Sequence, residues 1–264
     1  MVSGNGRERK IRIALLIQYD GTMFNGWQSQ KAGRTVQDEI ERAIEIITKE
    51  RTRIVASGRT DTGVHSLGQV AHFDIEKRID IKRLCIGLNG VLDWDISIKN
   101  AYAVPQDFHA RFSVQSREYI YLIYNHYQRN PFMNYRAMWV NYKLDIDFLR
   151  EALYLLIGEK DFASFCKKRS SDINTRRRIE DIKLSRMGDL LIIQIRGNAF
   201  LHNMIRIIVG TVIEMFKNKM EPKHIINILA QRDRASSGIT APSYGLYLHE
   251  IEYNPPLSSM ESAF

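Results

Sequence analysis

The chain has 264 residues, 44% hydrophobic and 26% charged, with 38 Lys plus Arg against 30 Asp plus Glu and a net charge of +8. These are values of a soluble globular protein long enough for a substantial core, and the positive balance favours a polyanionic partner, most simply nucleic acid. Two distant cysteines, Cys85 and Cys166, exclude a disulfide scaffold. The polar start MVSGNGRERK and short, interrupted apolar runs give neither a signal peptide nor a bilayer span, so no membrane is expected and the cytoplasm is the expected location.

From residue 10 to 19 the alternation Ile11, Ile13, Leu15, Ile17, Tyr19 has the period of a half-buried strand, which Asp20-Gly21 ends. A polar loop carrying Phe24, Gly26, Trp27 and Gln28 follows. Thr35 with Asp38 three residues on reads as a capping box, and Val36, Ile40, Ala43, Ile44 and Ile47 mark one helical face. Short apolar runs at 54–56 and 69–73 predict strands, Ile81, Leu84, Cys85 and Leu88 a second helix, and 95–104 another strand. The second half repeats that order, with a strand over 118–124 and a helix over 146–157 stopped by Gly158. Strands over 179–186 and 190–196 come next, then helices over 200–217 and from Pro222, and a last strand over 245–253. Two β-α-β-β-α-β units predict an α+β fold of two pseudo-symmetric ferredoxin-like halves, residues 10–108 and 109–254. Their antiparallel sheets are expected to flank a basic central cleft, with helices on the other side.

The segment SGRTDTGVHSLGQVAHFD, residues 57–74, places Asp61 two residues from Arg59 in a polar, glycine-flanked turn between apolar runs. In extended backbone, residues two apart share a face, so the Arg59 guanidinium is expected to reach the Asp61 carboxylate or share a ligand with it. An ionised carboxylate serves as nucleophile or base and is a poor proton donor. The same spacing also fits a solvated ion pair in a turn. In KKRSSDINTRRR, residues 167–178, Lys167, Lys168, Arg169, Arg176, Arg177 and Arg178 face one acid, Asp172, a composition that fits phosphate contacts and equally a solvated loop.

Tyr119 and Tyr121 share one face of the strand before residue 125, where tyrosines can stack on an unpaired base or serve as amphipathic core residues. Arg206 lies among Ile205, Ile207 and Ile208 with His202 and Asn203 one turn earlier, and needs either a partner such as Asp61 or a route to solvent. The histidines show no HxH or HExxH spacing, and no phosphate-cradling glycine loop or GxSxG elbow occurs.

Five segments, YDGTMFNGWQSQ (19–30), the Asp61 segment, FHARFSVQSREYIYLIYN (108–125), NAFLHNMIRIIVG (198–210) and TAPSYGLYL (240–248), resemble in order and approximate spacing the motifs of the TruA family of tRNA pseudouridine synthases. The match spans nearly the whole chain. The resemblance implies that Asp61 is the catalytic aspartate and that Arg59 pairs with it and helps hold the base out. It implies further that Tyr119 stacks on the target base, that Arg206 positions the aspartate, and that Leu246 lines the pocket. It also implies a homodimer acting on tRNA, with targets near positions 38 to 40 of the anticodon stem-loop. Ser57, Thr62 and Ser66 stand where alanines are commoner in the family, and Glu118 where a basic or polar residue is usual.

Conversion of uridine to pseudouridine breaks the N1 to C1′ bond, turns the uracil and joins C5 to C1′ without redox change or energy input, so no cofactor is called for. The target base must first leave its stack, at a cost that Arg59 and Tyr119 can offset, and a base must finally remove the C5 proton, a task for which Tyr119 is a candidate. Two other readings share these features. A tRNA-folding chaperone would need the cations and tyrosines and tolerate loss of Asp61, and a base-excising glycosidase would want a second carboxylate, which the Asp61 segment does not offer before Asp74.

Overall fold

The structure is a computed structural model that describes residues 10–76, 79–167 and 174–260. Strand β1 (Ile11–Tyr19) buries Ile13, Leu15 and Ile17 against helices α1 (Val36–Thr48) and α2 (Ile81–Val91). Thr35 caps α1 as its spacing predicts, its Oγ1 accepting from the Asp38 N–H at 3.2 Å. The Asp38 carboxylate returns to the Thr35 hydroxyl at 2.5 Å. A glutamate there would reach the cap's backbone N–H.

Strands β2 (Val55–Ala56), β3 (His65–Ile75) and β4 (Ile96–Val104) complete the first half, in the order β4-β1-β3-β2. In the second half, β5 (Val114–Asn125) is flanked by the short β6 (Met138–Val140), and β7 (Gly158–Asp161) lies beside β8 (Arg176–Met187). Strands β9 (Leu190–Gly197) and β10 (Leu246–Tyr253) give the order β10-β5-β9-β8-β7. Helices α3 (Ile146–Tyr154), α4 (Met204–Lys217) and α5 (His224–Gln231) cover this part, burying Leu149, Ile207, Ile208 and Ile225 with Tyr121, Ile123 and Ile193 of the sheet. Among the described residues no helix is long and apolar enough to cross a membrane. Of the two cysteines, Cys166 is buried and Cys85 half-buried.

The strands form one ten-stranded mixed α+β sheet and not the two separate sheets expected from sequence. Strand β2 pairs only with Ala71 and His72, which leaves the start of β3 open. There β10 adds in parallel, Tyr247 opposite His65 and Leu248 opposite Ser66, and satisfies backbone groups that an open edge would expose. Side chains lock this seam. The His65 ring stacks on Tyr247 at 4.6 Å and 19°, Arg136 Nη2 meets Asp20 Oδ2 at 2.6 Å, and the Tyr247 hydroxyl donates to the Arg136 carbonyl at 2.8 Å. The Gly21 N–H meets His65 Nδ1 at 3.0 Å, an atom that also lies 3.1 Å from Asp20 Oδ1, and His65 Nε2 faces the Tyr135 carbonyl at 3.0 Å. Burial holds this imidazole below its ordinary pKa, with the Asp20 charge opposing.

Two helices are shorter than the sequence reading expects. Helix α4 begins at Met204 and not at residue 200, because Asn203 takes a left-handed φ of 61° and turns the chain into the helix. Helix α3 ends at Tyr154, before Gly158 at φ 101°. Strands β6 and β7, three and four residues long, carry too few residues to show a period.

Gly68 shows how tightly the seam closes, since a Cβ built there would lie 2.3 Å from the His249 carbonyl oxygen, an atom of the neighbouring backbone. Gly68→Ala is expected to destabilise the fold by about 1–3 kcal/mol, measured by urea unfolding. A change within about 0.3 kcal/mol of zero would show that the two strands separate freely there.

Candidate active site

The turn carrying Asp61 runs from the end of β2 to the start of β3 and is fastened from behind. The Thr60 hydroxyl meets the Tyr19 hydroxyl at 2.8 Å, the Trp27 N–H donates to the Thr60 carbonyl at 3.1 Å, and Gln69 Nε2 donates to the Gly58 carbonyl at 3.0 Å. The Ser57 hydroxyl donates to Gln69 Oε1 at 2.6 Å, a tie that an alanine there could not make. Gly26, at φ 87°, lets the preceding loop lie on this turn, where a Cβ would sit 2.6 Å from the Thr60 carbonyl oxygen.

So held, Asp61 projects into a cleft of about 1470 Å³. His202 Nε2 lies 3.2 Å from its Oδ1, and Arg206 Nη1 lies 3.5 Å from its Oδ2. Arg206 is itself held more closely by others, its Nη1 donating to Asn203 Oδ1 at 2.6 Å and its Nε to the Ala241 carbonyl at 2.8 Å. The left-handed turn at Asn203 is what brings His202, Asn203 and Arg206 to one side. Tyr119 lines the same cleft with its ring edge-on to Phe200, 5.3 Å between centroids at 83°, and Leu246 lines it from the first position of β10.

Arg59 lines the cleft but makes no ion pair with Asp61 among the described residues. Residues 57–64 form a loop and not extended strand, so the two-residue spacing does not bring the side chains together. Arg117, which sequence reasoning passed over, closes the arrangement. Its Nη2 donates to the Ser57 carbonyl at 3.0 Å and its Nη1 to the Asn198 carbonyl at 2.8 Å, joining the Asp61 turn to the segment that leads into α4. Its place two residues before Tyr119 on a strand was the available signal.

With this geometry in view, a family model described as tRNA pseudouridine synthase matches residues 15–113 and 152–254. The chain is 44% identical over 246 residues to tRNA pseudouridine synthase A of Bacillus pumilus (strain SAFR-032), covering 92% of this chain and 100% of that protein. The chain belongs to the tRNA pseudouridine synthase family. The corresponding synthase of Halalkalibacterium halodurans is 44% identical over 236 residues, 89% of this chain and 90% of that one. A solved H/ACA RNP bound to a substrate RNA containing 2′-deoxyuridine overlaps at a TM-score of 0.36 and 12% identity, across 92% of this chain and 49% of that one, too loosely to bear on the fold. The synthase is an isomerase whose substrate is tRNA.

For that chemistry the charged lining of the cleft matters. Arg59, Arg111, Arg117, Lys167, Arg177 and Arg206 line it against a single carboxylate, Asp61, among the described residues. The basic stretch expected to bind RNA is divided by strand geometry. Arg177 turns into the cleft, whereas Arg176 and Arg178 are exposed on the opposite face of β8, with Arg176 paired to Glu159 at 3.1 Å. Lys168 and Arg169 lie outside the described residues.

Burial pushes the Tyr119 hydroxyl up to about 12, with Arg117 opposing the rise and the Asp61 charge adding to it. At pH 7 only about one part in 10⁵ is phenolate, so Tyr119 offers the synthase a ring and a hydroxyl proton and not a standing base. Away from the cleft, Glu118, His249 and Glu250 come within metal-ligand spacing. Arg196 Nη2 already meets Glu118 Oε2 at 3.0 Å and His249 Nδ1 meets Oε1 at 2.7 Å, which makes the group a salt-bridge network.

Because the Asp61 charge raises the Tyr119 pKa, Asp61→Asn is expected to lower the Tyr119 titration midpoint, followed by NMR of ¹³Cζ-labelled tyrosine. An unmoved midpoint would place the carboxylate too far from the ring for the two to act on one base.

Proposed function

We propose that the cleft takes a tRNA uridine drawn out of its stack and isomerises it, with Asp61 as the essential carboxylate. The observation that carries this reading is the Asp61 side chain, held between His202 and Arg206 beside the Tyr119 ring as the cleft's one carboxylate among the described residues. The reaction breaks the bond from N1 to C1′, forms one from C5 to C1′, releases the C5 proton and returns a proton to N1. Asp61 acts at the sugar or base as the anion, Arg206 positions it, Tyr119 stacks on the uracil, and Leu246 supplies an apolar wall. Arg59, exposed and without an ion pair among the described residues, is placed to fill the gap left in the RNA stack. A glycosidase would need a second carboxylate as acid, and the lining supplies none among the described residues.

The target uridines in this reading are those near positions 38 to 40 of the anticodon stem-loop, and Lys167 and Arg177 contact the phosphates of the same RNA. The strand orders β4-β1-β3-β2 and β10-β5-β9-β8 support two pseudo-symmetric ferredoxin-like halves, 10–108 carrying the aspartate turn and 109–254 carrying the tyrosine and the basic segment, with a basic cleft between them. The protein works as a cytoplasmic homodimer, so that one tRNA can touch two subunits.

Incubation with tRNA tritiated at uracil C5 tests the chemistry. Wild-type protein is expected to release label while the base stays attached, and Asp61→Asn to release none while still binding tRNA. Equal loss of binding and turnover would make Asp61 structural, and unimpaired turnover would remove it from the reaction. On the RNA path, Arg177→Ala is expected to weaken binding and reduce the slope of log K against log salt by about 1, and Arg176→Ala by less than half as much, because Glu159 already neutralises it. Equal slopes for the two variants would show that the RNA follows both faces of β8.

A further inference from the structure

One aromatic ring at the cleft is exposed to solvent yet held in place. Phe112 is 77% exposed, lines the cleft, and sits in the turn that leads into β5 and so to Arg117 and Tyr119. An exposed phenyl ring ordinarily has little to hold it. Here the His109 imidazole stacks on one face, with centroids 4.3 Å apart at 29°. His109 cannot swing away, because its Nδ1 accepts the N–H groups of Arg111 and Phe112 at 3.2 and 3.3 Å. The turn adds further ties, with the Phe112 and Ser113 N–H groups donating to the His109 carbonyl at 3.1 and 2.9 Å and the His109 N–H donating to Ser113 Oγ at 3.0 Å.

The stack continues inward. His109 meets the buried His72 edge-on at 4.8 Å and 62°, and His72 meets Phe108 at 6.2 Å and 82°. His72 is anchored in turn, its Nδ1 accepting the Ala110 N–H at 3.2 Å. Burial, with Arg12 nearby, lowers the pKa of both imidazoles, that of His72 to about 4, so the column is uncharged at pH 7. Phe112 is therefore the outer ring of an aromatic column rooted in the core, with His109 stacked on it at 4.3 Å, the Arg111 guanidinium carbon over the ring at 5.9 Å, and most of its surface exposed.

We propose that the exposed Phe112 ring is a stacking platform for a second unpaired base of the RNA, beside the nucleotide that enters the Asp61 site, the Arg111 guanidinium turning from over the ring to the adjoining phosphate. The inference rests on the reading of the cleft as the tRNA site. A flat, rigid, uncharged ring beside cations is what a base splayed from its helix requires, and stacking of this kind accepts any base. Arg111 is placed for the second contact, since its guanidinium carbon lies 5.9 Å from the Phe112 centroid and its side chain lines the cleft.

The test is a binding cycle in the Asp61→Asn background, which keeps turnover from altering the RNA. The probes are an anticodon stem-loop RNA and versions of it carrying a single abasic nucleotide at each position flanking the target uridine. Phe112→Ala is expected to raise Kd roughly 5- to 150-fold, Phe112→Trp to bind as the parent, and Phe112→Leu to bind as the alanine variant. One abasic RNA is expected to bind the parent correspondingly more weakly and the alanine variant no more weakly than intact RNA does. Leucine binding as tightly as phenylalanine would reduce the contact to apolar cover. Abasic losses equal in both proteins, or a changed oligomeric state on sedimentation of Phe112→Ala, would take the base off the ring. If Asp61→Asn itself kept releasing label, the reading of the reaction centre would fall, while the cycle would still decide whether a base lies on Phe112.

Discussion

Everything in the cleft depends on one meeting, between the Asp61 carboxylate from the first half of the chain and the Arg206 guanidinium 145 residues later. Neither side chain has meaning for a reaction until the other half is in place. The parallel seam between β3 and β10 sets the halves together, Arg117 ties the Asp61 turn to the segment entering α4, and the turn at Asn203 aims Arg206. Each is a short-range interaction, and together they over-determine the position of two oxygen atoms.

The strengths of these contacts are graded in a useful way. Arg206 makes its short bonds to Asn203 and Ala241 and only a long one, 3.5 Å, to Asp61. A bidentate pair at 2.8 Å, such as Arg12 makes with Asp74, would hold the carboxylate more firmly and occupy its lone pairs. The arrangement here fixes the cation without spending the anion, so both oxygens keep a direction open to the cleft. The same economy explains how a cleft lined among the described residues by six cations keeps one usable carboxylate.

The periodic parts of the fold were legible because their cause is local. Ile13, Leu15 and Ile17 face α1 and α2 as their alternation requires, and Thr35 caps α1 as its spacing with Asp38 requires. The site was legible as a set of residues, since Asp61, Tyr119, Arg206 and Leu246 all line one cleft. Its pairings were not. The two-residue spacing predicts that Arg59 reaches Asp61 or shares a ligand with it; both line the cleft, but the backbone there is a loop and the contacts to the carboxylate come from His202 and Arg206. The basic stretch likewise read as one patch, whereas strand alternation sends Arg177 to the cleft and Arg176 to Glu159.

Composition, periodicity and motif order therefore determined by themselves an α+β protein with a nucleic-acid charge balance, most of its helices and strands, and the residues of its cleft. Those properties depend on neighbours a few positions away, which a linear string records directly. Tertiary structure alone decided that the strands join into one sheet, which groups hold the carboxylate, which arginine of β8 lines the cleft, and that Phe112 stands on a column of rings. Such outcomes depend on where distant backbone segments come to rest, and that is set by the closing of the β3–β10 seam and not by any local sequence.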